Sequence, residues 1–378
     1  MNNFSELGIQ RVLIWLANSW PLDSGDQLIL VVHNSSGPLR EQLAPHVKLV
    51  ELDGLVYNPG FMRTPFRLLA YRRFLRQWRP DVVFGANQFE SMLLSVCRKL
   101  SGGFRLVAAE HCNVTENLRD KTAYRGWFRL IYIRWFPRAY RSWVDCVQTV
   151  SDGAREDLIS NHDIPAARVH RIYNPIDLTV TRKKALESVS RDHREEAAFV
   201  VTMASRLVAQ KRVDIALDAW RQFMHERRLS PSDARLVILG DGDLRGELVC
   251  QAARLGIADS VFFEGFQSNP WKHMQRSHVF LSTSEWEGLP CSLIEAQALG
   301  VPVLASDCPS GPREILLDGE AGVLFPRWNV AACAEGLWRV YADSSLRERC
   351  VSNANKHLSR FSVDEIIAEY RRLAVSLQ

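Results

Sequence analysis

The sequence lacks the cysteine spacing of a metal site and lacks any long apolar run. Its eight cysteines are scattered through 378 residues without a CxxC pair or a Cys/His cluster. This pattern predicts unpaired, mostly buried thiols in a reducing compartment. No apolar run approaches the roughly 18 residues that a membrane-spanning helix needs, and no leader precedes the first predicted helix. We therefore expect neither a secreted nor an integral membrane protein.

The composition suits a globular chain with two domains. Apolar residues make up 47% of the chain and charged residues 24%, which is ordinary for folded domains. The net charge of +4 is unevenly placed, because the first 180 residues hold 22 Lys and Arg against 17 Asp and Glu, and the remainder holds 25 against 26. The basic excess therefore belongs to the first domain.

The stretch from Ser284 to Leu316 carries the most specific pattern in the chain. It predicts an acidic loop, a short helix ended by Gly300, a buried strand and a Pro/Gly turn. Glu287 falls on the loop and Glu295 in the first turn of the helix, whose unpaired N–H groups suit an anion. Two carboxylates on either side of an anion site could hold the hydroxyls of a nucleotide sugar.

A simpler explanation exists for each carboxylate alone. Ser292 and Glu295 match the capping box, in which the glutamate only satisfies backbone N–H groups. Glu287 alone is typical of a solvated loop acid. The pair in its context is more specific than either residue.

The motif reads Glu287-Gly288-Leu289-Pro290-Cys291-Ser292-Leu293-Ile294-Glu295-Ala296 and is followed by GVPVLA at 300–305. This pattern resembles the retaining glycosyltransferases of family 4. Their α/β fold has two Rossmann-like domains that face each other across a cleft (the GT-B fold). The resemblance implies that Glu287 contacts the donor sugar and Glu295 the ribose. It also implies donor contacts along the motif, at Gly288, Leu289, Pro290, Ser292 and Leu293.

The resemblance also implies a domain plan. Residues 1–180 would form an acceptor-binding Rossmann-like domain and 197–355 a nucleotide-sugar-binding one. Between them, 181–196 are highly charged and poorly periodic, which is typical of a linker. A terminal helix within 356–378 would cross back to the first domain.

Two cations of the second half stand on the loop after its first predicted strand. Alone, Arg206 and Lys211 would be ordinary solvated side chains. They match the family's G-R-L-x-x-x-K pattern, with Ser205 in place of the glycine. The resemblance implies that both stabilise a leaving diphosphate, as two fixed cations can.

Two further turns of the second half bear on the site. Asp241-Gly242-Asp243 could be a metal motif, but its place between a strand and a helix matches the family's G-[DE]-G turn instead. We therefore expect no metal and no cofactor. By resemblance, the turn at Gly265 and Phe266 lies against the nucleotide base.

His111 follows the fourth predicted strand of the first half, where parallel sheets place ligands. A lone histidine is usually structural, but the resemblance implies that His111 positions the donor sugar. By resemblance, Gly8 belongs to the family's glycine loop and is a donor contact. Leu7 replaces the first glycine of that loop, and the strand that should precede it is missing. Either the chain begins late or the N-terminal sheet is rearranged.

Two segments of the first half are basic and aromatic together. They are 61–79, which has six arginines and no acid, and 119–143. Ordinary amphipathic helices, a nucleic-acid surface and a face for anionic lipid are all compatible with this mixture. Basic residues beside Trp and Phe without a nucleic-acid-binding motif favour the membrane, and no nucleic-acid partner is expected.

Together these patterns predict a retaining hexosyl- or N-acetylhexosaminyltransferase. It would move a sugar from a nucleoside-diphosphate donor, UDP favoured over GDP, to a polyprenyl- or lipid-linked glycan during cell-surface polysaccharide synthesis. It would act in the cytoplasm, peripherally on the inner membrane face. The alternatives are a catalytically impaired nucleotide-sugar-binding protein, a sugar phosphorylase and an epimerase.

Overall fold

The structure is a computed structural model that describes residues 4, 8–21, 25–52, 64–120, 127–189, 192–193 and 197–377, without the side chains of 127–134. The chain divides into two compact units. Unit 1 comprises Met1–Pro175 and Val363–Gln378, and unit 2 comprises Ile176–Ser362.

Among its described residues, unit 1 contains two parallel sheets, one of two strands and one of four in the order β3-β4-β5-β6. Most of these strands fall within apolar runs of the sequence, but β6 reads Val-His-Arg. The strands are β1 (Ile29–Val32), β2 (Lys48–Glu51), β3 (Val82–Gly85), β4 (Arg105–Glu110), β5 (Cys146–Thr149) and β6 (Val169–Arg171).

No strand precedes the first helix among the described residues. Phe4 is fully buried there, and its backbone bonds to Ser36 and Leu39 at 3.0 and 3.1 Å. Leu7 lies outside the described residues. The described residues therefore contain no strand before the first helix, and the described strands of unit 1 lie in two separate sheets.

Helices along the first part of the chain cover these sheets, and several begin at side-chain caps. The Ser151 hydroxyl, for example, accepts from the Ala154 N–H at 3.1 Å and so caps the helix that follows it. The helices are α1 (Gly8–Asn18), α2 (Thr64–Trp78), α3 (Gln88–Ser101), α4 (Val114–Arg119), α5 (Trp127–Ser142) and α6 (Asp152–His162).

Unit 2 has one sheet of six parallel strands in the order β12-β11-β10-β7-β8-β9. Its buried strands are almost continuously apolar, as expected for a sheet covered on both faces. They are β7 (Phe199–Ala204), β8 (Ala234–Leu239), β9 (Val261–Gly265), β10 (Val279–Ser282), β11 (Val303–Asp307) and β12 (Val323–Pro326).

The helices of unit 2 pack on both faces of this sheet. Trp220 and Phe223 lie at the centre of the core against β7 and β8. The helices are α7 (Leu178–Ala185), α8 (Val213–Glu226), α9 (Arg245–Arg254), α10 (Trp271–Met274), α11 (Cys291–Ala298), α12 (Pro312–Ile315), α13 (Val330–Ala342) and α14 (Ser344–His357).

The expected linker at 181–196 is corrected at its start, because α7 continues to Ala185. The Asp177 carboxylate caps this helix by accepting from the Val180 N–H at 2.8 Å, and Arg182 donates to the Ala298 carbonyl at 3.0 Å. The charged composition hid a helix that packs on unit 2 through Thr181 and Ala185, both fully buried. Residues 190–191 and 194–196 lie outside the described residues.

The last helix, α15 (Val363–Leu377), belongs to unit 1. Its Tyr370 ring meets the Phe84 ring of β3 edge to face, with centroids 5.4 Å apart. Among the described residues, no helix is long and apolar enough to cross a bilayer. None of the eight cysteines forms a disulfide, and five are buried, as the sequence predicts.

Candidate active site

The strand order of unit 2 creates a point where the chain changes direction across the sheet. β7 and β10 are neighbours, but β7 continues to β8 on one side and β10 to β11 on the other. Open parallel sheets bind ligands at such a point, outside the carboxyl ends of the strands. The loops after β7 and β10 carry Arg206, Lys211 and Glu287.

Lys211 and Glu287 meet across this point. The Lys211 Nζ donates to Glu287 Oε1 at 2.5 Å, and their side chains are only 17% and 9% exposed. The sequence singled out both residues but not their contact. Because the pair is partly withdrawn from water, each charge depends on the other to offset its desolvation.

Polar contacts fix the two loops to each other. The Thr283 hydroxyl donates to the carbonyls of Lys211 and Arg212, both at 2.9 Å. The Gln210 amide donates to the Trp286 carbonyl at 2.8 Å. The cation and the carboxylate are therefore held by a preorganised frame rather than by the ion pair alone.

Arg212 is a member of this frame that the sequence analysis missed. Its backbone is left-handed (φ 46°), and its guanidinium bonds both carboxylate oxygens of Asp214 at 2.9 to 3.2 Å. It also lies 3.8 Å from a Glu285 carboxylate oxygen. The only sequence signal was its place beside Lys211.

The motif loop from Glu287 to Pro290 packs against the turn after β11. The Glu287 N–H donates to the Pro309 carbonyl at 3.1 Å. Gly311 has φ 99°, and a Cβ there would lie 2.6 Å from Pro290 Cδ and 2.8 Å from the Gly288 carbonyl oxygen. Gly288, Leu289 and Pro290 therefore have a fixed backbone path into α11.

The capping-box alternative for Ser292 and Glu295 is wrong. α11 begins at Cys291, and its cap residue is Pro290, which offers no side-chain acceptor. Ser292 and Leu293 instead lie in the first turn, and Glu295 is buried on the helix. Pro290 thus supplies no side-chain cap to α11, and the dipole of the helix favours an anion at this end.

A buried thiol lies against the same carboxylate. Cys308, after β11, is 4% exposed. Burial, reinforced by the negative charge of Glu287, raises its pKa to about 12. Cys308 is therefore a neutral wall of the site and not a nucleophile.

Arg206 projects from a loop that two glycines support. It is exposed, and within the described part of the chain its guanidinium has no ion pair. A Cβ on Gly240 would lie 1.8 Å from the Ser205 carbonyl oxygen, and one on Gly242 would lie 2.4 Å from that of Leu207. The turn at Asp241 therefore serves to seat the Arg206 loop closely.

The turn after β9 adjoins the same glycines. The Gly265 carbonyl accepts from the Gly240 N–H at 2.7 Å, and Phe266 is 56% exposed. Asp241 bonds its own neighbour's N–H at 2.8 Å. Within the described ranges, no three His, Cys, Asp or Glu side chains are grouped so that they could hold a metal ion.

His111 and Gly8 belong to unit 1. His111 follows β4, as expected, and burial lowers its pKa to about 4, against an opposing interaction with Asn174. Its ring is therefore neutral at neutral pH. Gly8 begins α1, and a Cβ there would meet nothing within 4 Å, so the described structure does not require glycine.

The preceding residue, Glu110, is buried with a hydroxyl partner. Burial raises the pKa of Glu110 to about 8, and the Tyr140 hydroxyl on α5 donates to its carboxylate. No motif or spacing in the sequence indicates this pair.

Two family models together cover most of the chain. The model described as "Glycosyltransferase Family 4" matches residues 8–180, and that described as "Glycosyl transferases group 1" matches residues 187–357. The chain belongs to glycosyltransferase family 4.

Among curated relatives of this family 4 chain is the N-acetylgalactosamine-N,N'-diacetylbacillosaminyl-diphospho-undecaprenol 4-alpha-N-acetylgalactosaminyltransferase of Campylobacter jejuni. It is 28% identical, over 80% of this chain and 78% of its own. The UDP-Gal:alpha-D-GlcNAc-diphosphoundecaprenol alpha-1,3-galactosyltransferase of Escherichia coli is 22% identical, over 98% of this chain and 94% of its own.

Solved structures support the fold. HepE of Anabaena, in complex with UDP and glucose, superposes with a TM-score of 0.79 at 18% identity, over 100% of this chain and 98% of its own. The predicted α/β class with two Rossmann-like domains of the GT-B type is confirmed.

Within this family 4 chain, unit 2 brings together most of the residues that the motifs singled out. Lys211 contacts Glu287, the motif loop leads directly into α11, and Arg206 and Gly265 share the Gly240 turn. Cationic side chains can bind an anion, and the carboxylate can accept hydrogen bonds from hydroxyls.

Proposed function

We propose that the protein is a retaining glycosyltransferase that transfers a sugar from a nucleoside-diphosphate donor to a lipid-linked glycan of a cell-surface polysaccharide. The observation that carries the proposal is the Lys211–Glu287 pair, held 2.5 Å apart at the switch point of unit 2.

The donor would bind to unit 2 along its diphosphate. Arg206 and Lys211 offset the charge that grows on the leaving phosphates, and the uncapped first turn of α11 adds N–H donors. Glu287 accepts hydrogen bonds from the sugar hydroxyls, and Glu295 does so from the ribose. A UDP-sugar is favoured because one relative is named for UDP-Gal and one structural neighbour holds UDP.

The configuration at the anomeric carbon is retained if the acceptor attacks on the face that the diphosphate leaves. The leaving phosphate oxygen would take the acceptor proton, so no strong protein base is required. A neutral His111 fits a role in positioning rather than in proton transfer, since its pKa is lowered to about 4. The two side-chain cations make a metal ion unnecessary in this scheme.

The acceptor would be a glycan on a polyprenyl diphosphate. Two relatives are named for diphospho-undecaprenol acceptors, which support this class. The basic and aromatic helices of unit 1 would hold the enzyme at the inner, anionic membrane face. Exposed Arg73 and Arg76 on α2 and Trp135 and Arg138 on α5 suit this contact.

Transfer assays with a panel of UDP-, GDP- and dTDP-sugars test the proposal. Product anomers are read by NMR, and free diphosphate is measured in parallel. Glu287→Gln and Arg206→Ala should each lower kcat about 10²- to 10³-fold, because each removes a charged group that acts in the transition state. Glu247→Gln, at an exposed site on α9, is the matched control and should keep the wild-type rate.

Wild-type rates in both active-site variants would contradict the proposed site. An inverted anomer would contradict the retaining course. Binding of donors without transfer to any lipid-linked saccharide would instead make the protein a nucleotide-sugar-binding protein.

A further inference from the structure

A groove on unit 1 lies between α2 and the edge strand β2. Its volume is about 650 Å³. The wall from α2 comprises Phe66, Leu69, Ala70, Arg73, Phe74, Gln77 and Trp78, and the opposite wall comprises Val50, Glu51 and Leu52. The groove is outside the donor residues of unit 2; of the residues proposed above, Arg73, which was assigned to the membrane contact, lines it.

The wall from α2 exposes apolar surface that the fold does not use. Phe66 is 66% exposed and Leu69 47% exposed. Phe66, Ala70, Phe74 and Trp78 follow one another at intervals of four residues, so they form one apolar row along the helix, with Leu69 beside it and Arg73 and Gln77 among its members. From residue 66 to residue 78 the row spans about 18 Å at 1.5 Å per residue. A mainly apolar strip of this length fits an extended hydrocarbon chain.

Cations accompany the strip. Arg73 lies within the row and is exposed. The Lys48 ammonium lies 4.1 Å from the centre of the Trp78 ring at the far end of the helix. The one acid of the groove, Glu51, already accepts the Ser35 N–H at 3.0 Å. α2 itself contains no acidic residue.

We infer that this groove binds the isoprenoid chain of the lipid-linked acceptor, with its diphosphate held by the cations beside the strip. The inference rests on the proposed function, in which the acceptor joins a long apolar chain to an anionic diphosphate. Charge complementarity favours this occupant over a neutral apolar peptide, because α2 contains no acidic residue and the cations of Arg73 and Lys48 lie beside the apolar strip.

A photoreactive polyprenyl diphosphate locates the chain without requiring turnover. We expect crosslinks by mass spectrometry within 64–78 and 48–52. A phospholipid with the same photoreactive group, in vesicles that contain phosphatidylglycerol, is the comparison. Equal labelling of α2 by both probes would show a general bilayer contact and overturn the inference. Labelling elsewhere, or protection of α2 by dimerisation, would also overturn it.

Kinetics give a second readout. For the wild type, KM should be lower for a long-chain acceptor than for one with a single isoprene unit, so the ratio of the short-chain KM to the long-chain KM should exceed one. Leu69→Gln and Phe66→Ser should each reduce this ratio about tenfold, which is the effect of losing about two buried methylene contacts. Both side chains are exposed, so neither change should unfold the protein. Val375→Gln on α15, 66% exposed in the same unit, should keep the ratio.

The two hypotheses can fail separately. If no lipid-linked saccharide is ever glycosylated, the proposed function fails, and crosslinking still decides whether the groove takes a prenyl chain. If transfer occurs but the ratio is unchanged in both variants, the groove inference fails alone.

Discussion

Lys211→Met tests whether the central ion pair supports stability and activity together. The substitution keeps much of the side-chain volume but leaves the Glu287 carboxylate, 9% exposed, without its cation. Leaving a fully buried charge unpaired costs about 3 to 5 kcal/mol. Because the Lys211 side chain is 17% exposed, some solvent reaches the pair, and we expect about 2 kcal/mol.

Scanning calorimetry and urea unfolding measure this change. For a unit of this size, about 2 kcal/mol lowers Tm by roughly 4 to 8 °C. The double variant Lys211→Met/Glu287→Gln should recover most of the loss, because it leaves no unpaired charge, with a coupling of about 1 to 2 kcal/mol. Its transfer activity should stay low, since the proposed chemistry needs both groups.

The exposed pair of Arg227 and Glu335 is the control. These side chains are 33% and 57% exposed at 3.1 Å, and Arg227→Met should cost no more than about 0.5 kcal/mol. If the double variant simply added the losses of its two single variants, the ion pair would not be formed in solution. If the double variant regained activity with stability, the catalytic roles of Lys211 and Glu287 would be wrong.

Three further predictions concern other parts of the molecule. Gly311→Ala should lower both Tm and transfer rate, because φ 99° and the contact with Pro290 exclude a Cβ; Gly246→Ala, with nothing within 4 Å, is the control in melting experiments. The folded-state pKa of Glu110, about 8, lies above its unfolded value, so the free energy of unfolding should fall as pH rises from about 5 to 9. Urea unfolding at several pH values should show a smaller fall for Glu110→Gln. An unchanged dependence of this free energy on pH would contradict the prediction. EDTA should leave the transfer rate unchanged, and a loss restored by Mg²⁺ or Mn²⁺ would contradict the role given to Arg206 and Lys211.

Local sequence patterns located most elements of the fold because strands and helix ends depend on neighbours in the chain. The helix ended by Gly300 was predicted from its apolar run and glycine stop, and Gly300 indeed has φ 71°. The capping box failed because Pro290 occupies the cap position. The charged composition around Arg182 predicts a linker, but these residues belong to α7. The burial of α7 depends on α10 and α11, which lie far along the chain.

The contacts within the site were beyond reach for the same reason. Lys211 and Glu287 are 76 residues apart, and only the sheet order places their loops side by side. Cys308 against Glu287, and Glu110 with Tyr140, likewise depend on long-range packing. The family motif identified which residues matter, but their mutual distances follow from the arrangement of the strands.

The assignment of α15 to unit 1 has a consequence for synthesis on the ribosome. The contact between the Phe84 and Tyr370 rings cannot form until Tyr370 is translated, nearly 290 residues after Phe84. At bacterial and eukaryotic elongation rates this delay is about 15 to 60 s. Unit 2 is continuous in the chain and can complete its core first. The N-terminal segment therefore emerges early yet finishes folding last, and we expect nascent chains stopped before residue 363 to bind chaperones through it.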